Sequence, residues 1–471
     1  MIILNHHRQE AFMHKKLFMA AAIALALTGK LYSLPTDYEG KKVLIIADIH
    51  EEHVGGTENV VLEIKKRLIQ KGLIVSVIDF SAVPTFQIPG AAGEPCPYPW
   101  SIKSDIAALI HQINPNYILI IPLGIMSYKA GAYCYEHHIP FTVFCSVRMP
   151  ELVNSLFSFP LGISRYFVNG FLAKASNVLV PTLSFEKELR QQGLTNVFTW
   201  PHGVDTEKFT LPTEEEKKQA TIACNLENKP RPFYLFVGRI TKAKNLEAFL
   251  NLDIPGTKIL VGSEDIGYSL ETLKKRFPDA VFPGLKQGKE LLSYYQCSDI
   301  FVFPSKIDSF GLVLLEALAC GLPIVGFDTF GPTDVVPSTS GVSYLANVDD
   351  TLQEQAIKAW HDIQNNRVTP LQCRMYSEQF SWDTATDSLL NRLIAIDTSV
   401  LDQAQKALMA DNDRWTQNKK MLKGTSIGLA ACAAIGSVVA GKGNRFGGAL
   451  AGAVVGVVPS AITAAALTGK R

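Results

Sequence analysis

From about residue 40 the chain alternates short β-branched and aliphatic runs with longer stretches whose apolar positions recur every three to four residues. KKVLIIADI is a continuous apolar run of strand length, which predicts a strand buried on both faces. ENVVLEIKKRLIQKG follows with helical periodicity and stops at Gly72. IVSVIDF predicts a second strand, and SDIAALIHQINP with NYILIIPLG repeats the unit. A comparable series restarts at PFYLFVGRI and runs through LEAFLNL, TKILVGS, ETLKKRF, KELLSYYQCSD, IFVFPS, GLVLLEALACG and PIVGFD. Strands that alternate with helices form a parallel sheet covered on both faces, so the chain is expected to hold two doubly wound α/β domains. Between the series, VFTW gives way to the polar PHGVDTEKFTLPTEEEKKQA, which is expected to be a linker. FSWDTATDSLLNRLIAI and a charged helix through NDRWTQNKK close the patterned region.

The two ends differ from this pattern. Near the start, KKLFMAAAIALAL joins a basic flank to an apolar run shorter than a membrane span, and it fits a signal sequence or a short anchor. The last fifty or so residues are Gly/Ala-rich and nearly uncharged except for Lys442 and Arg445 at a Gly-rich centre. Small residues recur every fourth position at Gly424, Gly428, Cys432, Gly436 and Ala440, and again at Gly448, Gly452 and Gly456. That spacing lets two helix backbones approach closely in lipid, so a membrane-associated helical hairpin is expected there.

Composition narrows the function classes. The chain has 471 residues, enough for two or three domains with large cores and no need of disulfide staples. Its formal charge of +1 leaves no global electrostatic footprint for nucleic acid. Eight cysteines are scattered, with no CxxC pair and no zinc-like spacing, and they read as reduced core thiols.

In doubly wound domains, ligands sit beyond the carboxyl ends of the strands, and the chemistry-bearing residues fall there. After the first strand, DIHEEHVGGTE places Gly55 and Gly56 before a helix whose N–H groups suit a phosphate. The second series opens with FVGRITKAKN, where Arg239 and Lys244 follow a strand end at a spacing suited to one shared anion. DSFGLVLLE then carries Asp308 and Glu316 around a turn at a helix N-terminus, where the N–H groups of Phe310, Gly311 and Leu312 suit phosphate and sugar oxygens. A carboxylate facing a phosphate is repulsive, so the two acids are expected to face hydroxyls flanking it.

Taken in order, GRITKAKN, FPSKIDSFGLVLLEALACGLPIV and PHGVDTEKF resemble the signature segments of the family-4 retaining glycosyltransferases, which include glycolipid-forming mannosyl-, glucosyl- and sulfoquinovosyltransferases. The resemblance runs from about residue 40 to 395. It implies a GT-B fold, two Rossmann-like domains facing a cleft, and transfer of a hexose from a nucleotide-diphosphate sugar without a metal or a resident cofactor. It implies that Arg239 and Lys244 grip the donor diphosphate, that Asp308 contacts the transferred sugar, and that Glu316 holds the ribose. These make Asp308, Arg239 and Lys244 the catalytic candidates. VGGTENVVLEIKKRL is similar to the family's first glycine loop, and VGSED and GLKQG to its base-contacting region. Gly55, Gly56, Gly238, Gly262 and Lys286 thereby join Phe310, Gly311, Leu312 and Glu316 as donor-binding candidates.

Two positions depart from the family pattern. Asp308 stands where Glu is common, and Ser146 in IPFTVFCSVRMPEL stands where a His usually meets the donor sugar. His50 and His53 in the first loop, and His202 in the linker, could reach the cleft in its place, but each is expected to be a solvated loop residue.

The expected organisation is a targeting or anchor segment (1–39), an acceptor domain (40–205), a donor domain (206–380), crossover helices packing back on the first domain (381–422) and the apolar tail (423–471). The expected partners are a nucleotide-sugar donor, a lipid or glycan acceptor and a membrane, with the catalytic domains facing the cytosol. EIKKRLIQK and NSLFSFPLGISRYFVNGFLAK read equally as bilayer contacts or as a solvated face and a core helix. Two other functions stay open: a sugar-nucleotide epimerase or hydrolase on the same scaffold, and a catalytically silent membrane-binding protein.

Overall fold

The computed structural model describes residues 38–49, 55–79, 85–89, 95–99, 102–122, 124–151, 154, 160–264, 269–306 and 308–396. The N-terminal apolar segment, His50, His53, the NDRWTQNKK stretch and the Gly/Ala-rich tail lie outside the described residues.

The first half is built from β1 (Lys42–Ala47), β2 (Ile74–Ile78), a β3–β4 hairpin (Thr85–Pro89, Pro95–Pro99), β5 (Tyr117–Ile121), β6 (Thr142–Phe144), β7 (Asn177–Val180) and β8 (Val197–Thr199). Its main sheet has the order β2-β1-β5-β6-β7-β8 with every pair parallel. The helices are α1 (Gly56–Gln70), α2 (Ile102–Ile113), α3 (Ile125–Glu136), α4 (Leu161–Leu172) and α5 (Leu183–Gln191). The second half has a six-stranded parallel sheet of its own, built from β9 (Phe233–Val237), β10 (Thr257–Val261), β11 (Val281–Gly284), β12 (Ile300–Phe303), β13 (Ile324–Phe327) and β14 (Ser343–Ala346) in the order β11-β10-β9-β12-β13-β14. Around it run α6 (Glu214–Ala223), α7 (Leu246–Leu250), α8 (Leu270–Arg276), α9 (Gly288–Cys297), α10 (Leu312–Ala319), α11 (Pro332–Val335), α12 (Gln353–Gln364) and α13 (Pro370–Ser377). The last described helix is α14 (Trp382–Ile394).

The apolar runs occupy the centres of both sheets because helices on both faces exclude water from them. All of β5 and β9 is buried, as is β1 beyond Lys42. Helix α1 turns Val60, Val61, Ile64 and Leu68 inward at three- and four-residue spacing. On its other side, Arg67 pairs with Asp383 at 2.5 Å and Lys71 with Asp387 at 2.6 Å, which docks α14 onto the first half. Those two cations of the EIKKRLIQK cluster therefore face a helix of the same chain. Six cysteines (Cys134, Cys145, Cys224, Cys297, Cys320 and Cys373) are buried free thiols. Among the described residues no helix is long and apolar enough to cross a membrane.

The expected linker needs correction. Its start, His202 to Val204, is buried, and its second part is helix α6. Thr213 and Glu216 form a reciprocal capping box there, so the charged TEEEKKQA run is a helix start rather than loose chain. The two passages of chain between the halves lie side by side: Val204 bridges Ser381, and its N–H donates to Phe380 O at 3.0 Å.

Candidate active site

In the second half, three neighbouring strands end in glycines whose backbones are stitched together. Gly238 N–H donates to Val261 O, and Gly262 N–H to Gly284 O, each at 3.0 Å. A Cβ on Gly262, which has φ +156°, would lie 1.8 Å from Gly238 O, so only glycine fits this ridge. Beyond it, Arg239 is exposed and Lys242–Lys244 form a short 3-10 turn closed by Asn245 in the left-handed region. Asn245 Nδ2 donates to Pro304 O at 3.2 Å, which ties this loop to the end of β12. The tie carries Lys244 to the next loop, where its Nζ meets Asp308 Oδ2 at 2.5 Å. The ammonium also lies 5.7 Å from the centre of the Phe303 ring.

Asp308 leads into α10, whose N-cap is Gly311 and carries no side-chain hydrogen bond. The nearest carboxylate contact to this helix start is a long one: Phe310 N–H donates to Asp308 Oδ1 at 3.5 Å. Leu312 opens the helix, and one turn on, Glu316 accepts a hydrogen bond from Tyr295 Oη at 2.7 Å. Burial raises the Glu316 carboxyl pKa, opposed by the Tyr295 bond and by attraction to Lys208. The structure thus brings Lys244, Asp308, Phe310, Gly311 and Leu312 together beside the Gly238–Gly262 ridge. Lys286, half-buried, pairs with Glu290 at 3.1 Å.

In the first half, Gly55 caps α1 in extended backbone without a side-chain bond, with Gly56 as the first helical residue. Asp48, at the end of β1, reaches the start of α3 instead. Its carboxylate accepts from Gly124 N–H at 2.9 Å, Met126 N–H at 2.9 Å and Ser127 N–H at 3.2 Å. Burial raises its pKa against the pull of these donors. Contacts that join the halves at the strand ends include Ser184 Oγ, which donates to Asp334, and the Arg148 guanidinium, which lies 5.8 Å from the Phe330 ring centre.

His202 corrects the reading of a solvated loop histidine. It is 4% exposed. Its ring lies 5.2 Å from Phe144, 5.4 Å from Trp200, 4.6 Å from Phe310 and 5.8 Å from Trp382. Burial pushes its pKa down to about 3, so the imidazole is neutral. Sequence reasoning missed Asp48 and Tyr295 and read His202 as a solvated residue. An acid closing an apolar strand was a readable signal for the first, and a His two residues after a Trp and just before a Gly for the last. Nothing local marked Tyr295.

Two facing parallel-sheet α/β halves, with polar side chains gathered at their strand ends, define the architecture of the GT-B proteins. Solved structures with this fold include sucrose-phosphate synthase from Thermosynechococcus elongatus (TM-score 0.62, 18% identity, 76% of this chain and 100% of that chain). HepE from Anabaena in complex with UDP-glucose is another (TM-score 0.58, 16% identity, 75% of this chain and 100% of that chain). Residues 217–369 match the family described as Glycosyl transferases group 1. Sulfoquinovosyl transferase SQD2 of Arabidopsis thaliana is 27% identical over 320 residues, 64% of this chain and 62% of its own length. A GDP-mannose-dependent alpha-mannosyltransferase of Mycobacterium tuberculosis is 29% identical over 223 residues, 47% of this chain and 57% of its own length. The chain therefore spans about 60% of the length of these two relatives.

Proposed function

We propose that the protein is a retaining hexosyltransferase that moves a sugar from a nucleoside-diphosphate donor to an acceptor hydroxyl, with a membrane lipid as acceptor. The observation that carries this reading is the Lys244–Asp308 pair at 2.5 Å, set against the uncapped start of α10 within the matched domain. A diphosphate entering there meets Lys244, Arg239 and the N–H groups at Phe310 to Leu312, and Lys244 exchanges its carboxylate partner for the phosphate. Asp308, released from the ammonium, accepts from a hydroxyl of the sugar, and Glu316 accepts from the ribose. As the glycosidic bond breaks, negative charge grows on the departing diphosphate, and each well-placed donor stabilises it by about 3 kcal/mol. The leaving phosphate takes the acceptor proton, so attack occurs on the face it vacates and configuration is retained. No metal is needed for these steps.

A lipid acceptor is supported by relatives such as a Corynebacterium glutamicum phosphatidylinositol monomannoside mannosyltransferase, 25% identical over 213 residues. It implies a membrane-associated protein whose catalytic halves face the cytosol, where nucleotide sugars are made. The test is to incubate purified full-length protein with UDP-, GDP- and ADP-sugars, with and without lipid vesicles. A glycosylated lipid with retained anomeric configuration is expected. Free or epimerised sugar nucleotide without a glycosylated acceptor would replace this reading with an epimerase or hydrolase.

A further inference from the structure

The carboxyl of Glu316 is served by a single hydroxyl. Tyr295 Oη donates to its Oε2 at 2.7 Å, while Oε1 has no hydrogen-bond partner among the described residues and is not sealed from solvent. Glu316 lies on the face of α10 that Leu312 opens, because residues four apart share a face, and helix side chains lean toward the N-terminus. That lean is toward the turn that carries Asp308. The donor of the bond is held rigidly. The Tyr295 ring is fully buried, edge-on to Phe209 at 5.6 Å and stacked with Phe301 at 6.0 Å. Phe209 comes from the chain between the halves and Phe301 from β12, so the phenol is fixed by two distant segments.

A phenylalanine would fill the same space, but it would leave the carboxyl without this donor. Burial and the neighbouring Glu316 push the Tyr295 phenol well above its usual range, so the hydroxyl keeps its proton and stays a donor. On Glu316 the bond acts the other way. Burial raises the carboxyl pKa, and the Tyr295 bond with attraction to Lys208 opposes that rise. Cys320 also faces this carboxyl, and burial pushes its thiol up, so it stays neutral. Oε2 is thus pinned, while Oε1 keeps its full capacity to accept. We propose that Tyr295 is a positioning residue that acts through Glu316: its hydroxyl holds Oε2 and leaves Oε1 for a ribose hydroxyl, which makes the site select ribonucleotides over deoxyribonucleotides. This rests on the nucleotide-sugar reading above, in which Glu316 meets the ribose.

The experiment measures binding of UDP, GDP and ADP, and of their 2′-deoxy and 3′-deoxy counterparts, by calorimetry. It uses the full-length protein, the variants Tyr295→Phe and Glu316→Ala, and the variant that combines them. Wild type should prefer a ribonucleotide over at least one deoxy form by about tenfold, the size of one hydrogen bond to a charged group. Tyr295→Phe should hold the affinity for that deoxy form within about twofold while the preference shrinks to about twofold. In the Glu316→Ala background the same change should leave the preference where it is, because Tyr295 works only through that carboxyl. Loss of the hydroxyl removes a bond that lowers the Glu316 pKa, so the preference left in Tyr295→Phe should grow as pH rises and the carboxyl ionises. An unchanged preference in Tyr295→Phe overturns the proposal, and so does an equal loss of affinity for ribose and deoxyribose forms, which marks a tyrosine that only fills the core. Wild type that binds both forms alike overturns the ribose contact of Glu316, and the role of Tyr295 with it, while diphosphate binding stands. Wild type that binds no diphosphate overturns the nucleotide-sugar reading itself.

Discussion

Each half is built on a six-stranded parallel sheet, yet their strand ends treat a helix N-terminus in opposite ways. In the first half the start of α3 is filled by Asp48, a carboxylate of the same chain that takes three backbone N–H groups at 2.9 to 3.2 Å. In the second half the start of α10 has no such cap. Its nearest acid, Asp308, turns to Lys244 at 2.5 Å and only grazes Phe310 N–H at 3.5 Å. Both helix starts carry the partial positive charge that attracts anions. An internal acceptor supplied by the chain itself makes one of them structural. A cation with an exchangeable partner leaves the other for a ligand.

The largest effect should come from removing that cation. On the proposed function, Lys244→Ala takes away the donor that meets charge on the departing diphosphate, and kcat/KM should fall about 10²–10³-fold. Nucleoside-diphosphate affinity should fall with it, because the ammonium is a ground-state contact as well. Steady-state kinetics and calorimetry check the two parts separately. Unchanged diphosphate affinity in Lys244→Ala would mean that α10 is no more receptive to anions than α3, and the contrast between the halves would collapse.

The converse change belongs to the first half. Asp48→Ala leaves the N–H groups of Gly124, Met126 and Ser127 without their acceptor, and stability should fall by about 2 kcal/mol in chemical denaturation. Asp48→Asn keeps one carbonyl oxygen and should lose about half as much. Diphosphate affinity should stay within about twofold in the variants that fold. A loss of affinity as large as that of Lys244→Ala would show that the first half's helix start also serves the ligand.

The sequence carried the alternation of strands and helices well, because a strand buried on both faces must be apolar throughout, as in VLIIA and FYLFV. It carried the meeting of Lys244 with the Asp308 turn less directly. The two loops lie 64 residues apart, and only the parallel order β9-β12 makes them neighbours. Burial of the charged-looking linker was hidden by composition. His202 sits beside Gly203 and among residues that read as polar chain, and besides the neighbouring Trp200 its cage of Phe144, Phe310 and Trp382 comes from three distant segments. The α6 start was legible in Thr213 and Glu216, whose spacing is that of a capping box, but the acidic run around them read as linker. Partners supplied by tertiary structure, such as Tyr295 for Glu316, leave no local pattern.

The smallest effect tests the same contrast inside the second half, where Glu316 is a half-buried acid with no cation at bonding distance among the described residues. Its folded-state pKa is raised above the usual 4.5 by burial, with the Tyr295 bond and attraction to Lys208 opposing. A carboxyl of this kind adds full stability below its unfolded pKa, and the contribution is lost as pH rises through the folded value, because the unfolded chain solvates the ionised form better. Glu316→Gln keeps an acceptor for Tyr295 and removes the ionisation. The melting temperatures of variant and wild type should therefore converge at pH values below 4.5 and separate in favour of the glutamine as pH rises toward neutrality. Melts across that range read the sign directly. A glutamine variant that loses ground as pH rises would mean that the fold serves the Glu316 carboxylate better than water does, as an acid locked into the structure and not one kept for a ribose hydroxyl.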